Sequence, residues 1–347
     1  MSFIIVTSPP AGPVLDSWNA SLDQSDFASH YTSPAFLIEP YFAGKNPFAV
    51  LAVDASGVVL GVATGLRSAT QITCGASGSP HVCIRRGVDQ AAVSAALLDG
   101  VESHARNGGS ELTEIYAWEP LAAAKARGFR VSQCRAPLGT IVLDLTHGAE
   151  GLFKEFSETR RNKVRRAIRA NVEVTEFDIE RDFDAYYEIY LHWCSFKHLP
   201  PQACDVQRKV LAMPGHRLAL VARHEGQIIG VSTFRYRDPG VMEYAANVSR
   251  REQTKVRQND LLIWRAVEWA CARKGISLFS MAGAHFFLQK FGGEMRSTYR
   301  YRKDRTLFRR HDLADFGRTI VVKSYQALPD SVRSRLKRLL NKSDEPG

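Results

Sequence analysis

The chain has 347 residues, 45% of them hydrophobic and 24% charged, with no low-complexity tract. That is long enough for two cores and too apolar for a disordered protein. Its net charge of +10 is unevenly placed: residues 1–145 hold 9 Lys/Arg against 12 Asp/Glu, and residues 146–347 hold 37 against 24. The second half is therefore expected to meet an anionic partner, such as a cofactor phosphate, an RNA, a sugar nucleotide or a membrane surface. The opening apolar run Met1–Val6 is too short for a signal peptide and soon meets Pro9-Pro10. No stretch approaches the roughly 18–20 apolar residues of a membrane span, so a cytoplasmic location is expected. Cys74, Cys83, Cys134, Cys194, Cys204 and Cys271 form no CxxC pair and join no histidine cluster. They are read as isolated thiols, with no metal site.

In chain order, Pro13–Leu22 reads as a helix. Phe48–Asp54 and Val58–Thr64 read as two strands around the turn Ala55-Ser56-Gly57. Asp89–Arg106 is a helix ended by Gly108-Gly109, followed by a strand at Leu112–Trp118, a short helix through Lys125 and a strand at Gly139–Leu145 that closes the first half. The second half repeats this grammar. Arg217–Arg223 and Ile228–Arg237 flank the turn Glu225-Gly226-Gln227; next come a strand at Val241–Val248, a helix at Asn259–Lys274 and a strand at Leu278–Gly283. A shift of 169 positions lays Leu51, Gly57, Gly61, Val62 and Thr64 on Leu220, Gly226, Gly230, Val231 and Thr233, which points to an internal duplication. Glycine inside a strand marks either relief under a packed helix or an opening of the sheet beside a ligand, and both readings stand for Gly61 and Gly230.

Between the halves, Phe153–Asn171 reads as one helix with Phe153, Phe156, Val164, Ala167 and Ile168 on a stripe. Arg160, Arg161, Lys163, Arg165, Arg166 and Arg169 cover much of the rest. That face either binds phosphate or pairs with acidic neighbours. The tail Asp330–Lys342 reads as an amphipathic basic helix that docks on the protein or makes a weak membrane-surface contact.

Three groups of residues carry a family likeness. They are the basic helix Ser157–Arg169, the segments Val172-Glu173-Val174 and Asp182–Phe196, and the run from the Glu225–Arg235 hairpin through Asp260–Ala270 to Phe291-Gly292-Gly293-Glu294. In their order and spacing they resemble the acyltransferase domain of FemAB-like aminoacyltransferases. They are also similar to the related domain associated with cellulose and exopolysaccharide biosynthesis. The first half, including Ser33-Pro34-Ala35-Phe36-Leu37, resembles the partner domain that precedes it in such proteins. The resemblance implies an α/β (α+β) chain with two tandem GNAT-like domains, each a mixed, mostly antiparallel twisted sheet flanked by helices. Residues 1–145 and 146–312 would be the two domains and 313–347 a basic tail, with the active cleft mainly on the second domain.

The implied activity is acyl transfer to an amine, with acyl-CoA or an acyl carrier as donor and no tightly bound cofactor. The acceptor would be a small molecule, a sugar or a cell-envelope precursor; DNA is not an expected partner. Transfer from aminoacyl-tRNA and a non-catalytic scaffold that binds an anionic partner are the alternatives. In this fold the sheet splits after Val241–Val248, opposite Leu278–Gly283. There Glu243 is either a base or a solvated strand carboxylate, and Tyr244 either a proton donor or core. Strand alternation puts Glu243 and Asn247 on one face and Tyr244 on the other. The donor phosphates would meet Lys255, Arg257, Gln258, Asn259 and Asp260 at a helix start, although the glycine-rich turn of simple GNAT enzymes is missing there. The family's lysine before Phe-Gly is replaced by Leu288, with Lys290 adjacent as a substitute for charge stabilisation. Arg161, Arg165, Arg235, Asn247, His285 and Phe291 complete the candidate substrate-binding set. His285 is either a base or a structural histidine.

Overall fold

The computed structural model describes residues 1–134, 139–250 and 252–327. Residues 1–302 form one compact unit, and a second begins at Lys303. The expected tail helix at Asp330–Lys342 lies outside the described residues.

The first half contains β1 (Ser2–Val6), α1 (Pro13–Asp23), β2 (Pro47–Val53), β3 (Val59–Arg67), β4 (Gln71–Ala76), β5 (Ser79–Pro80), β6 (Val82–Ile84), α2 (Gln90–Asn107), β7 (Leu112–Ala117) and β8 (Arg130–Cys134). Asp89 caps α2, its carboxylate accepting from the amides of Ala91 and Ala92. After β9 (Thr140–Asp144) come α3 (Gly148–Glu155), α4 (Glu158–Arg169), β10 (Glu173–Glu176), α5 (Ile179–Lys197) and α6 (Cys204–Leu211). The second hairpin is formed by β11 (Arg217–His224) and β12 (Gln227–Tyr236). The chain then runs through β13 (Gly240–Ser249), α7 (Gln258–Cys271), β14 (Ile276–Ser280), α8 (Phe286–Gln289), β15 (Glu294–Arg296) and β16 (Thr298–Asp304). In the second unit α9 spans Arg310–Ala327.

Two sheets result, mixed and mostly antiparallel, each covered by helices on both faces. The first runs β1-β2-β3-β4-β7-β16-β8 and the second β10-β11-β12-β13-β14-β9-β15. On the second sheet, Leu220, Phe234, Met242 and Phe279 pack with α3, α4 and α7, while Val221, Val231 and Val248 on the other face pack under α5. The strand expected to close the first half, β9, instead lies in the second sheet between β14 and β15, and β16 returns to the first. Local sequence marks β9 as an apolar strand but carries nothing about which sheet edge receives it.

The helix expected over 153–171 is broken at Phe156, which adopts an extended conformation and is fully buried against Trp264 and Phe291. Phe156 is the C-cap of α3 and Ser157 the N-cap of α4. Among the described cysteines Cys74, Cys83, Cys194, Cys204 and Cys271 are free thiols.

The repeat is visible in the pairing. Both hairpins shift register just before the marked glycine: Ala52 faces Gly61 and Val53 faces Val59, while Ala222 faces Gly230 and Arg223 faces Ile228. A Cβ on Gly61 would lie 2.5 Å from Val93 of α2, and one on Gly230 would lie 3.3 Å from Gln258 of α7. Both glycines therefore admit the crossover helix. Each crossover then delivers a parallel partner, β7 beside β4 and β14 beside β13.

Candidate active site at the opening of the second sheet

β13 pairs in parallel with β14 only from Gly240↔Ile276 to Glu243↔Ser280 and then runs on without it to Ser249. Its pairing with β12 shifts at the same point: Phe234 faces Tyr244 but Thr233 faces Ala246, so Ala245 is an extra, bulged residue. The bulge inverts the alternation beyond it. Glu243 shares a face with Arg235, and Asn247 is turned to the opposite face, where its amide donates to Ser232 Oγ at 2.7 Å. The expectation that Glu243 and Asn247 share a face fails for this reason. Tyr244 packs on Phe234 on the α7 side, and burial pushes its hydroxyl pKa up.

On the Glu243 face lies a cavity of about 680 Å³. Ala245, Ala246, Val248, Thr233 and Arg235 form one wall, and α5 and α6 add Tyr186, Tyr190, Trp193 and Val210. The first half supplies Tyr31, Tyr41, Phe42, Ser79 and His81. Part of that contribution comes from an excursion. β4 and β6 pair with successive stretches of β3, Thr73 with Leu66 and then Val82 with Ala63, so they form one strand path interrupted by the hairpin 74–81. Its tip reaches the second half: a Cβ on Gly78 would lie 2.2 Å from the Ala282 carbonyl oxygen. Thr298 donates to the Ser77 carbonyl at 2.6 Å.

Under the cavity sits a buried polar knot. Glu39 is 2% exposed and accepts from His30 Nε2 at 2.5 Å, from Arg217 at 2.7 Å and from Arg235 at 2.7 and 3.1 Å. Burial alone would raise the Glu39 carboxyl. The hydrogen bond from His30 and the two guanidiniums overrule it and hold the group well below the usual carboxylate range. Burial pushes His30 down to about 4, against the pull of Glu39, so its imidazole is neutral and donates through Nε2–H. His81 is pushed down to about 3, mainly by burial; it stacks on Tyr31 at 4.6 Å.

Glu243 is not the solvated strand carboxylate that one reading allowed: it is 2% exposed. Burial pushes it up to about 8, against Arg235 and the hydroxyls of Ser79 and Ser29. Those hydroxyls lie near enough to favour its ionised form, yet neither carboxylate oxygen has a hydrogen-bond partner of ordinary geometry. A buried carboxyl pushed up to about 8 thus lies where the sheet opens.

A second, smaller recess of about 140 Å³ lies at the start of α7, among Arg160, Lys163, Arg257, Gln258, Asn259, Asp260 and Phe287. Arg257 takes a left-handed conformation at the N-cap without a side-chain cap. Asp260 is committed to a buried ion pair with Arg160 at 2.5 Å, and the same guanidinium lies 3.8 Å from the Phe287 ring centre. Gln258 is 1% exposed and both of its amide atoms lack partners; Asn259 donates to Ser249 Oγ at 3.3 Å. Lys255 is exposed in the turn before.

The remaining candidates lie elsewhere. Arg161 donates to the carbonyls of Lys154 and Phe156, Arg165 lies 5.6 Å from the Phe153 ring centre, and both line an open notch with Trp264. His285 is exposed at the N-cap of α8, and Lys290 Nζ lies 4.2 Å from the Phe286 ring centre at its other end. Phe291 is fully buried between Phe156 and Phe287, so its ring belongs to the core and presents no surface to a substrate. The structure thus brings Glu243 and Arg235 together on one face of the sheet, where Arg235 lines the cavity and Glu243 is buried beside it without lining it; the other candidates lie apart from the cavity wall. Sequence reading missed Ser29, His30, Tyr31, Glu39, Ser79, His81 and Arg217. A usable signal existed at Glu39, a lone carboxylate in the apolar run Ala35–Phe42. Among the described residues no group of His, Cys, Asp and Glu could hold a metal, and no helix is long and apolar enough to cross a membrane.

No family model and no curated protein matches the chain. Solved structures share its fold. FemX is 12% identical with a TM-score of 0.66, covering 88% of this chain and 97% of its own. A tandem GNAT protein from the clavulanic acid biosynthesis pathway is 13% identical with a TM-score of 0.53, covering 88% and 99%. L-PGS from Bacillus licheniformis is 14% identical with a TM-score of 0.54, covering 86% and 94%. The chain has the tandem GNAT fold.

Proposed function

We propose that this protein transfers an acyl group to an amine at the opening between β13 and β14. The observation that carries the proposal is the separation of these strands immediately after Glu243, on a bulged stretch that also walls the 680 Å³ cavity. Among the described residues, backbone amides of Tyr244–Asn247 on the side that β14 has left have no strand partner there. They are placed to hold an acyl carbonyl and the oxyanion that develops on it. The amine enters from the cavity. Its ammonium gives a proton to the Glu243 carboxylate, directly or through water, and its nitrogen then attacks the acyl carbon. The new C–N bond forms and the bond to the donor's sulfur breaks; the second proton of the nitrogen passes to the departing thiolate, directly or through water.

The donor we favour is an acyl-CoA or acyl carrier, its phosphates near the start of α7. Arg257 and Lys163 lie beside first-turn amides there, and the partnerless Gln258 amide adds a further donor and acceptor. The Arg160–Asp260 pair fixes that end of the helix. Lys255, exposed in the turn before α7, is assigned to the donor's outer phosphates; Arg161 and Arg165, in the notch with Trp264, and Lys290, outside the cavity wall, are secondary.

Two measurements test the reading. Acetyl-CoA or a longer acyl-CoA should raise the melting temperature, because a ligand that binds only the folded state stabilises it. If acyl-CoA leaves it unchanged and aminoacyl-tRNA raises it, the transfer is of an aminoacyl group from an ester; no response to either removes the catalytic reading. Turnover should rise with pH through about 8, as Glu243 loses its proton and becomes competent as a base.

A further inference from the structure

The polar knot beneath the cavity is unbalanced in charge. Arg217 and Arg235 both line the cavity and both are more than nine-tenths buried, yet they share one carboxylate, Glu39. His30, the remaining partner of Glu39, is neutral. Glu243, the cross-strand neighbour of Arg235, is mostly protonated at neutral pH and supplies no full second negative charge. Arg217 Nε is buried without a hydrogen-bond partner. Two buried guanidiniums that share one carboxylate are stabilised by a further anion, and their planar forks fit a carboxylate. Above the two arginines the walls are aromatic and aliphatic, with Tyr31, Tyr186, Tyr190, Trp193, Val210 and Val248 among them. The volume suits a small molecule.

We propose that this cavity binds an amino acid with an apolar or aromatic side chain, its carboxylate on Arg217 and Arg235 and its side chain against the aromatic wall. The binding part stands on the cavity alone. That the bound amino acid is the acyl acceptor rests on the proposed acyl transfer: an α-amino group one carbon from a carboxylate on Arg235 lies on the face of the sheet that Glu243 shares with Arg235, and its proton reaches that carboxyl through water.

Isothermal titration calorimetry on the full chain, without any acyl donor, tests the inference. L-phenylalanine and L-leucine should bind, and phenethylamine, which lacks the carboxylate, should bind at least 10-fold more weakly. Arg217→Lys, which keeps the charge but loses the fork, should weaken L-phenylalanine at least 10-fold. Ala246→Phe adds a ring to the cavity wall while leaving both arginines in the sequence, and should abolish binding while the folded signal in circular dichroism is kept. Equal binding of phenethylamine overturns the proposal. So does binding of phenyl phosphate in place of the amino acids, or no binding by any of these probes, or wild-type affinity in Ala246→Phe. Acyl-CoA binding is measured in parallel: its loss with amino acids still bound removes the transfer reading and leaves the site, and the reverse result removes the site and leaves the transfer.

Discussion

The two halves open their sheets in the same place and use the opening differently. In the first sheet the last residue of the parallel pair is Cys74, opposite Ile115; in the second it is Glu243, opposite Ser280. Cys74 is fully buried in the apolar core of its half, and burial pushes its thiol pKa far up. Glu243 is equally buried but lies in a polar setting with Arg235, Ser29 and Ser79 around it. Past these residues the second sheet inserts one bulged residue, Ala245, and leaves its strand edge beside a cavity. The first inserts a hairpin, pairs it on itself and sends its tip across to Ala282. On the proposed reading, the opening of one half is the site and that of the other supplies a wall for it. Ser79 and His81, at the end of the hairpin, and Tyr31 and Glu39, from the turns after α1, bring first-half chemistry to second-half strands.

If that asymmetry is functional, Glu243→Gln has the largest effect: turnover should fall about 10²- to 10⁴-fold, the range general-base removal costs. Cys74→Ala at the corresponding place should leave turnover within a factor of about two while lowering stability by about 1 kcal/mol. Glu243→Gln should also change the pH dependence of stability. Its folded-state pKa is raised from 4.5 to about 8, so the folded state holds a proton that the unfolded state releases. That contribution is fully present below about 4.5 and is lost as pH rises through about 8. The glutamine variant should therefore melt higher than wild type at pH 8 to 9, with a flatter profile from pH 5 to 8. A lower melting temperature at pH 9 would show that the carboxylate is better solvated than its burial implies.

Glu39→Ala should cost about 3–5 kcal/mol in urea denaturation, because it leaves two buried guanidiniums without their carboxylate. A cost under about 1 kcal/mol would mean that water or Glu243 takes over the charge. Next in size is Gly78→Ala, whose new methyl would meet the Ala282 carbonyl and should destabilise by about 1–3 kcal/mol. If the hairpin is a wall, that variant should weaken ligand binding in the cavity as well as the fold; a loss of stability with binding intact would separate the hairpin from the site. Smallest is Asn247→Ala. It removes one hydrogen bond to Ser232, worth about 1 kcal/mol, and should leave turnover near wild type because the bulge turns this residue away from Glu243.

The second half was legible in sequence because its elements are local. Each strand around Gly226 and the helix after Asn259 announce themselves by periodicity and turn residues, and the structure places them within a few residues of expectation. The duplication was legible through Gly61 and Gly230, which now have a common cause in the helix that crosses each. Long-range features were not. The exchange of β9 and β16 between sheets depends on edges that form far away in sequence. The bulge at Ala245 leaves no local mark, and without it alternation misplaces Asn247. Glu243 was singled out by its position opposite the split, yet neither its burial nor the first-half hydroxyls of Ser79 and Ser29, more than 160 positions away, which act on its carboxyl, is marked in the local sequence. Glu39 acquires meaning only beside Arg217 and Arg235, which lie 178 and 196 residues further on.

The most direct test follows backbone amide shifts during titration with an acyl-CoA. The amides of Tyr244–Asn247, on the open stretch of β13, should move saturably, and those of Gly75–Ser77 at the corresponding place in the first half should not lose their hairpin pairing. Shifts confined to Gly75–Ser77, or a titration that moves neither stretch, would contradict the assignment of the site to the second opening.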